Sequence, residues 1–175
     1  MTDWIKASNP TASITTEADA IAAARASALA IFLGVIWGAV GVFLLISGGS
    51  TEMEAAMAQA SADAPEMAGM GALAMQIAIW TAVGICVIQL VLGLVQWAKP
   101  NVVIPIIFAI LVAFGLASGA FGLVMAGQAG MPETAAAPSW QLYVGLAVLV
   151  IQLVLHIAGI RGANALDRIR MAAAQ

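Results

Sequence analysis

His156 is the only histidine in the chain, and it lies inside a long uncharged stretch. An imidazole in such a setting has two chemical uses. It can ligate a haem or chlorophyll-type pigment through a ring nitrogen, or it can pack between helices and satisfy a neighbouring polar group. A doubly ligated haem would need a second histidine from another chain. Gln152 stands one turn before His156, on the same face of any helix that holds both. The expected role for His156 is therefore packing, with a bond to Gln152 or to a backbone carbonyl.

Gln152 has a counterpart. Val87-Ile88-Gln89-Leu90-Val91-Leu92 recurs letter for letter as Val150-Ile151-Gln152-Leu153-Val154-Leu155. Buried amides such as Gln89 and Gln152 need partners, and an adjacent helix is the expected source. Bonds of this kind average only ~0.6 kcal/mol in membranes, so they fix geometry more than they stabilise it.

Other chemistry is sparse. Seven methionines (Met53, Met57, Met67, Met70, Met75, Met125 and Met131) gather towards one side of the expected topology, and thioethers suit Cu(I). Histidine and cysteine are missing from that group, and methionine is equally an adaptable filler for contact surfaces. The expectation is therefore no metal and no cofactor. The single Cys86 gives neither a disulfide framework nor a CxxC site. No nucleophile has a base at a telling spacing, so a non-enzymatic protein is expected.

Composition sets the class of the elements that carry these residues. Of 175 residues, 63% are hydrophobic and 9% charged, against roughly 25% charged in a soluble domain. No charge falls between Arg25 and Glu52, Glu66 and Lys99, Lys99 and Glu133, or Glu133 and Arg161. Each interval exceeds the ~20 apolar residues that cross a bilayer as a helix. Helical spans are expected over 26–48, 74–98, 103–127 and 140–161, because backbone polar groups in lipid must be satisfied within the segment. Apart from Arg161 at the very end of the last, none holds the carboxylate, lysine or arginine that ion-coupled transport usually requires.

The basic residues give the orientation. Lys6, Arg25, Lys99, Arg161, Arg168 and Arg170 all fall on one side of a four-span path. Glu52, Glu54, Asp63, Glu66 and Glu133 occupy the other. The positive-inside rule places both termini and the Lys99 turn in the cytoplasm, here of a bacterial inner membrane. The net charge of −3 argues against nucleic acid as a partner. Asp3, Glu17 and Asp19 precede the first apolar run, a poor signal peptide, so a retained first span is expected.

A second repeat accompanies the hexapeptide. Gly34, Gly38 and Gly41 have the spacing of Gly115, Gly119 and Gly122, and such small-residue seams let helices approach closely in lipid. The fold expected is an all-α membrane protein of four transmembrane helices. Two tandem hairpins, 26–98 and 99–161, would be related by a pseudo-twofold axis along the membrane normal. His156 falls outside this plan, since its counterpart is Gly93. The hexapeptides lie 63 residues apart and the seams 81, which makes an acidic, methionine-rich insertion of about 50–72 in the first hairpin.

Smaller features complete the plan. Residues 1–25 form an arm and helix extension, loose over 1–14, with Thr16 and Asp19 making a capping box. A helix from Glu17 would run unbroken through Arg25 into the membrane. Thr51–Ala60 has the period of a short surface helix. Trp80, Trp97, Lys99, Trp140 and Arg161 are expected interface anchors. The tail 162–175 would lie on the anionic inner leaflet.

The expected function is that of a scaffold or accessory subunit. Its partners would be the lipid bilayer and other membrane proteins or copies of itself. The alternatives are an oligomeric small transporter or channel, or a pigment-binding subunit ligated through His156.

Overall fold

The computed structural model describes residues 3–47, 68–128 and 140–175, with the backbone alone for 68–72 and 126–128. Five helices make up the regular structure of these residues: α1 Trp4–Ser8, α2 Glu17–Ile46, α3 Ala68–Ala98, α4 Val103–Gln128 and α5 Trp140–Ala173. The last four are long and apolar enough to cross a membrane, so the chain is a multi-pass membrane protein whose described residues are all-helical. The surface helix expected over Thr51–Ala60 lies outside the described residues. So do Met53, Met57, Met67 and Met131 of the methionine cluster.

Local chemistry sets the helix starts. Thr16 Oγ1 accepts the Asp19 N–H at 3.1 Å, occupying one of the first-turn donors that a helix leaves unpaired. The capping box is only half closed, because the Asp19 carboxylate takes Lys6 Nζ at 3.0 Å and the Thr15 hydroxyl at 3.3 Å. At α4, Asn101 Oδ1 accepts the Ile104 N–H at 3.0 Å. Pro105 follows in that first turn, where its missing N–H costs nothing.

The chain divides into two compact units, Met1–Gly34 with Leu90–Gln175, and Val35–Gln89. In the first unit α5 is the spine. One face of α5 takes α4 in antiparallel register, with Phe108 stacked on His156, Gly115 beside Leu149 and Gly119 beside Leu146. A neighbouring face takes the first half of α2, also antiparallel. There Ala24 meets Gly162, Ser27 meets Gly159 and Ala30 meets Gln152.

This second contact is the core of the unit. Ala20, Ala22, Ala23, Ala24, Ala26, Ser27, Ala28 and Ala30 are all buried, as are Ala158, Ala163 and Leu166 opposite. Small side chains matter here because helices in lipid associate through close packing rather than through a hydrophobic drive. At Gly159 an added Cβ would sit 2.5 Å from Ser27 Cβ. At Gly162 it would run into the Ala24 backbone nitrogen and lie 2.5 Å from the Ala23 carbonyl carbon.

Two expectations are corrected in this unit. Residues 3–14 are not loose. Asp3 Oδ1 caps α1 by accepting the Ile5 and Lys6 N–H groups, each at 3.1 Å, and Asn9 Oδ1 accepts the Thr11 N–H at 2.9 Å to close the following turn. Lys6 then binds Asp19 at 3.0 Å, and Arg161 Nη2 donates to the Ala12 carbonyl at 3.2 Å. These bonds join the arm to α2 and α5.

The residues after Arg161 do not leave α5 for the leaflet either. No breaker interrupts them, and Gly162, Ala163 and Leu166 are buried, with Leu166 packed in one cluster with Ala20 of α2. Arg170 Nε meets Glu17 Oε1 at 3.1 Å. At 34 residues, α5 is ~51 Å long, well beyond the ~30 Å of a hydrocarbon core.

The second unit holds the rest of α2 and the first part of α3. Gly38 faces Cys86, whose Sγ would lie 2.8 Å from an added Cβ. Among its described residues none is buried, Gly41 and Gly84 have open space beside them, and Trp80 is 67% exposed. Such a surface suits surroundings of lipid.

Candidate functional site

The polar centre of the first unit lies where the two contact faces of α5 meet. His156 Nδ1 is 2.8 Å from Ser27 Oγ, and the two residues are 1% and 0% exposed. The tautomer of the imidazole decides which of them donates. The ring stacks on Phe108 at 5.6 Å between centroids, with 22° between planes. One turn away, Gln152 Nε2 donates to the Ala30 carbonyl at 3.1 Å. His156 thus takes a hydroxyl from the next helix, where Gln152 or a carbonyl was expected.

The local fold explains the arrangement. Gln152, His156 and Gly159 fall on one stripe of α5 at the spacing of successive turns. Gly159 lets the α2 backbone come close enough for the short serine side chain to reach the ring. Ser27 is missing from the residues singled out by sequence, although a signal exists. It carries the only hydroxyl between Arg25 and Ser47.

A serine beside an imidazole resembles the start of a nucleophilic dyad. Access argues otherwise. With both groups buried, a substrate would reach them only if α2 and α5 separated. Among the described residues no three His, Cys, Asp or Glu side chains converge either. The geometry suits a bolt between helices.

A second polar cluster joins the end of α3 to α2 and α4, and sequence gave no warning of its centre. Gln96 is fully buried. Its Nε2 donates to the Ala24 and Asn101 carbonyls at 3.2 and 3.1 Å, and its Oε1 accepts the Asn101 N–H at 3.3 Å. One side chain therefore stands in for the backbone partners that the α3–α4 turn lacks. The available signal was position, a glutamine just before Trp97-Ala98-Lys99-Pro100.

Trp97, expected to be an interface anchor, is also a junction. Arg25 Nε donates to its carbonyl at 3.1 Å, and the guanidinium lies 5.2 Å from its ring centroid. Such cation–π contacts contribute ~0.5–2 kcal/mol. Trp4 stacks on the same ring at 5.8 Å, and Phe32 lies tilted at 6.5 Å. Trp4 thereby ties the arm to α3.

The other singled-out residues are dispersed. Gly115 is in ordinary contact range of Leu149, at 3.5 Å from an added Cβ, and Gly119 is tighter against Leu146 at 2.8 Å. Gly122 and Gly41 meet nothing within 4 Å, and Gly34 is half-buried. Gln89 is half-buried in the second unit, whereas Gln152 is buried in the first. Lys99, Trp80 and Trp140 are exposed, and Arg161 is half-buried at the arm.

Asp19, half-buried beside Lys6, is perturbed. It precedes the uncharged run of α2. The Lys6 ammonium bonded to it holds its carboxyl below the usual carboxylate range.

No family model matches the chain, and neither a curated protein nor a solved structure matches it.

Proposed function

We propose that this chain is a non-enzymatic scaffold of a bacterial inner membrane, an accessory subunit that binds other membrane proteins or further copies of itself. Both termini and the Lys99 turn face the cytoplasm. The four spans form two tandem hairpins related by a pseudo-twofold axis along the membrane normal. The segregation of all six Lys and Arg residues supports the orientation, and the duplicated hexapeptide and glycine spacing support the repeat.

One observation carries the functional reading. The buried polar side chains of the described residues are committed to joining helices: Ser27 to His156, Gln152 to α2, and Gln96 to α2 and the α3–α4 turn. Coupled transport and catalysis need polar groups that face a cavity or a path. Meanwhile large apolar side chains such as Phe114, Phe121 and Ile110 stay exposed along α4.

Purification of the full chain in mild detergent, with mass analysis and an absorption spectrum, tests this reading. The expected result is a co-purifying partner or a defined oligomer without visible absorbance. His156→Ala should leave the spectrum unchanged. A Soret-like or chlorophyll-like band that disappears in that variant would make His156 an axial ligand and overturn the scaffold reading.

A further inference from the structure

A cavity of about 310 Å³ lies beneath the N-terminal arm, walled by the arm, the first turns of α2, and α5 at Ala158 and Arg161. Four charged groups line it, and three are committed. Lys6 and Asp19 pair with each other at 3.0 Å. Asp3 spends its carboxylate on the N–H groups of Ile5 and Lys6. Arg161 is different. Among the described residues its guanidinium makes one hydrogen bond, from Nη2 to the Ala12 carbonyl, and the rest of its donor fork is unused.

A half-buried guanidinium with unused donors favours an anion that can offer it two oxygens side by side, as a carboxylate or a phosphate does. Its height in the chain narrows the choice. Arg161 is the first charge after the uncharged run that begins beyond Glu133, just as Lys99 ends the run of α3 and Arg25 precedes that of α2. These three residues mark one boundary between hydrocarbon and water, where lipid phosphates lie. Ala22, Ala23 and Ile14 give the cavity an apolar wall suited to the carbon skeleton of an esterified phosphate. Ile5, 86% exposed on α1 beside this cavity, offers the arm a foothold in the bilayer.

We propose that this cavity is a binding site for a phosphate group, with Arg161 as its principal ligand. The group is either the headgroup phosphate of an anionic phospholipid or a soluble phosphate. The site is independent of the scaffold reading and needs only a membrane-embedded chain.

The test uses the full chain in a phosphorus-free maltoside detergent. Dioleoyl-phosphatidylglycerol, dioleoylglycerol as its phosphate-free control, and inorganic phosphate are titrated separately. Bound lipid is read by native mass spectrometry and bound phosphate by phosphorus NMR line width. Saturable binding of phosphatidylglycerol but not dioleoylglycerol assigns the lipid source, and saturable binding of inorganic phosphate assigns the soluble one. In either case Arg161→Gln should weaken binding by about tenfold or more, the loss expected for a bidentate charge-assisted contact. Arg161→Lys should retain part of it, and Arg168→Gln, outside the cavity, should leave it unchanged.

Three outcomes overturn the proposal. The parent chain binds neither probe, dioleoylglycerol binds as well as the phospholipid, or Arg168→Gln weakens binding as much as Arg161→Gln. The parent titration decides alone if the Arg161 variants fail to fold.

Discussion

Ser27 Oγ lies 2.8 Å from His156 Nδ1 at a crossing where Gly159 leaves no space for a methyl group. The bond and the gap depend on each other. A wider crossing would put the hydroxyl out of reach, and a narrower one would drive Ser27 into the α5 backbone. Ser27→Ala removes the imidazole's partner in a dry site and should cost ~1–3 kcal/mol. Pairing it with His156→Leu should recover part of that loss, since no polar group is then stranded. Unfolding in detergent measures both, and strictly additive losses would show that the two residues do not act together.

The small residues of α5 should be more sensitive than the glycine seams. Gly162→Ala and Gly159→Ala each press a methyl group against α2, at backbone that cannot swing away in one case and at Ser27 in the other. Overpacking of this kind costs ~1–3 kcal/mol. Gly122→Ala and Gly41→Ala meet open space and should be neutral or slightly stabilising. Thermal stability of the four variants side by side is the check. Equal behaviour across the set would contradict the close α2–α5 crossing.

Gln96→Leu should loosen the α3–α4 turn. It strips the Asn101 N–H and carbonyl of their side-chain partner and leaves the Ala24 carbonyl without its bond. A loss of ~1–3 kcal/mol is expected. Backbone exchange should accelerate at Asn101 and stay unchanged within α4. Exchange rising equally along the whole of α4 would mean that Gln96 supports the helix and not the turn.

Acid should release the arm. The Lys6 bond lowers the Asp19 pKa below its ordinary value of 3.8. A carboxyl lowered on folding contributes stability that is fully present above its unfolded pKa and is lost as pH falls through the lowered folded value. Protease cleavage within residues 9–16 should therefore rise only below about pH 3.8 in an acid-tolerant assay. In Lys6→Met the arm should be more cleavable at neutral pH, with a weaker acid dependence. An unchanged cleavage profile in that variant would remove the ion pair from any role in holding the arm.

Topology can be read directly by thiol labelling. In a Cys86→Ala background, cysteines at Ser61 and Ser139 should react with an impermeant reagent in intact cells, and one at Ser8 should not. The reverse pattern would turn the molecule over.

The long helices were legible because charge is so scarce. Four uncharged intervals bounded by Arg25, Lys99 and Arg161 leave few other ways to read the chain. The polar contacts were only partly legible. Gln152 and His156 stand out as polar residues in an apolar run, yet their partners are an ordinary serine and a backbone carbonyl. Composition does not flag such partners. The alanine-rich half of α2 was hidden for a related reason. Alanine reads as generic membrane sequence, and its role at 20–30 emerges only when Gly159 and Gly162 of α5 are set against it. The arm is not legible, because polar, turn-rich sequence looks unstructured until Lys6 and Ala12 find Asp19 and Arg161.

The crossing of α2 with α5 has a consequence for biogenesis. Its halves, Ala20–Ile31 and Gln152–Leu166, lie far apart in the order of synthesis. At ~5–20 residues per second the ribosome needs roughly 6–24 s to get from one to the other. Over that interval Ser27 has no imidazole beside it and the alanine face is bare. The nascent chain must therefore be sheltered, by the insertion machinery or by neighbouring lipid, until α5 arrives and α2 can be locked.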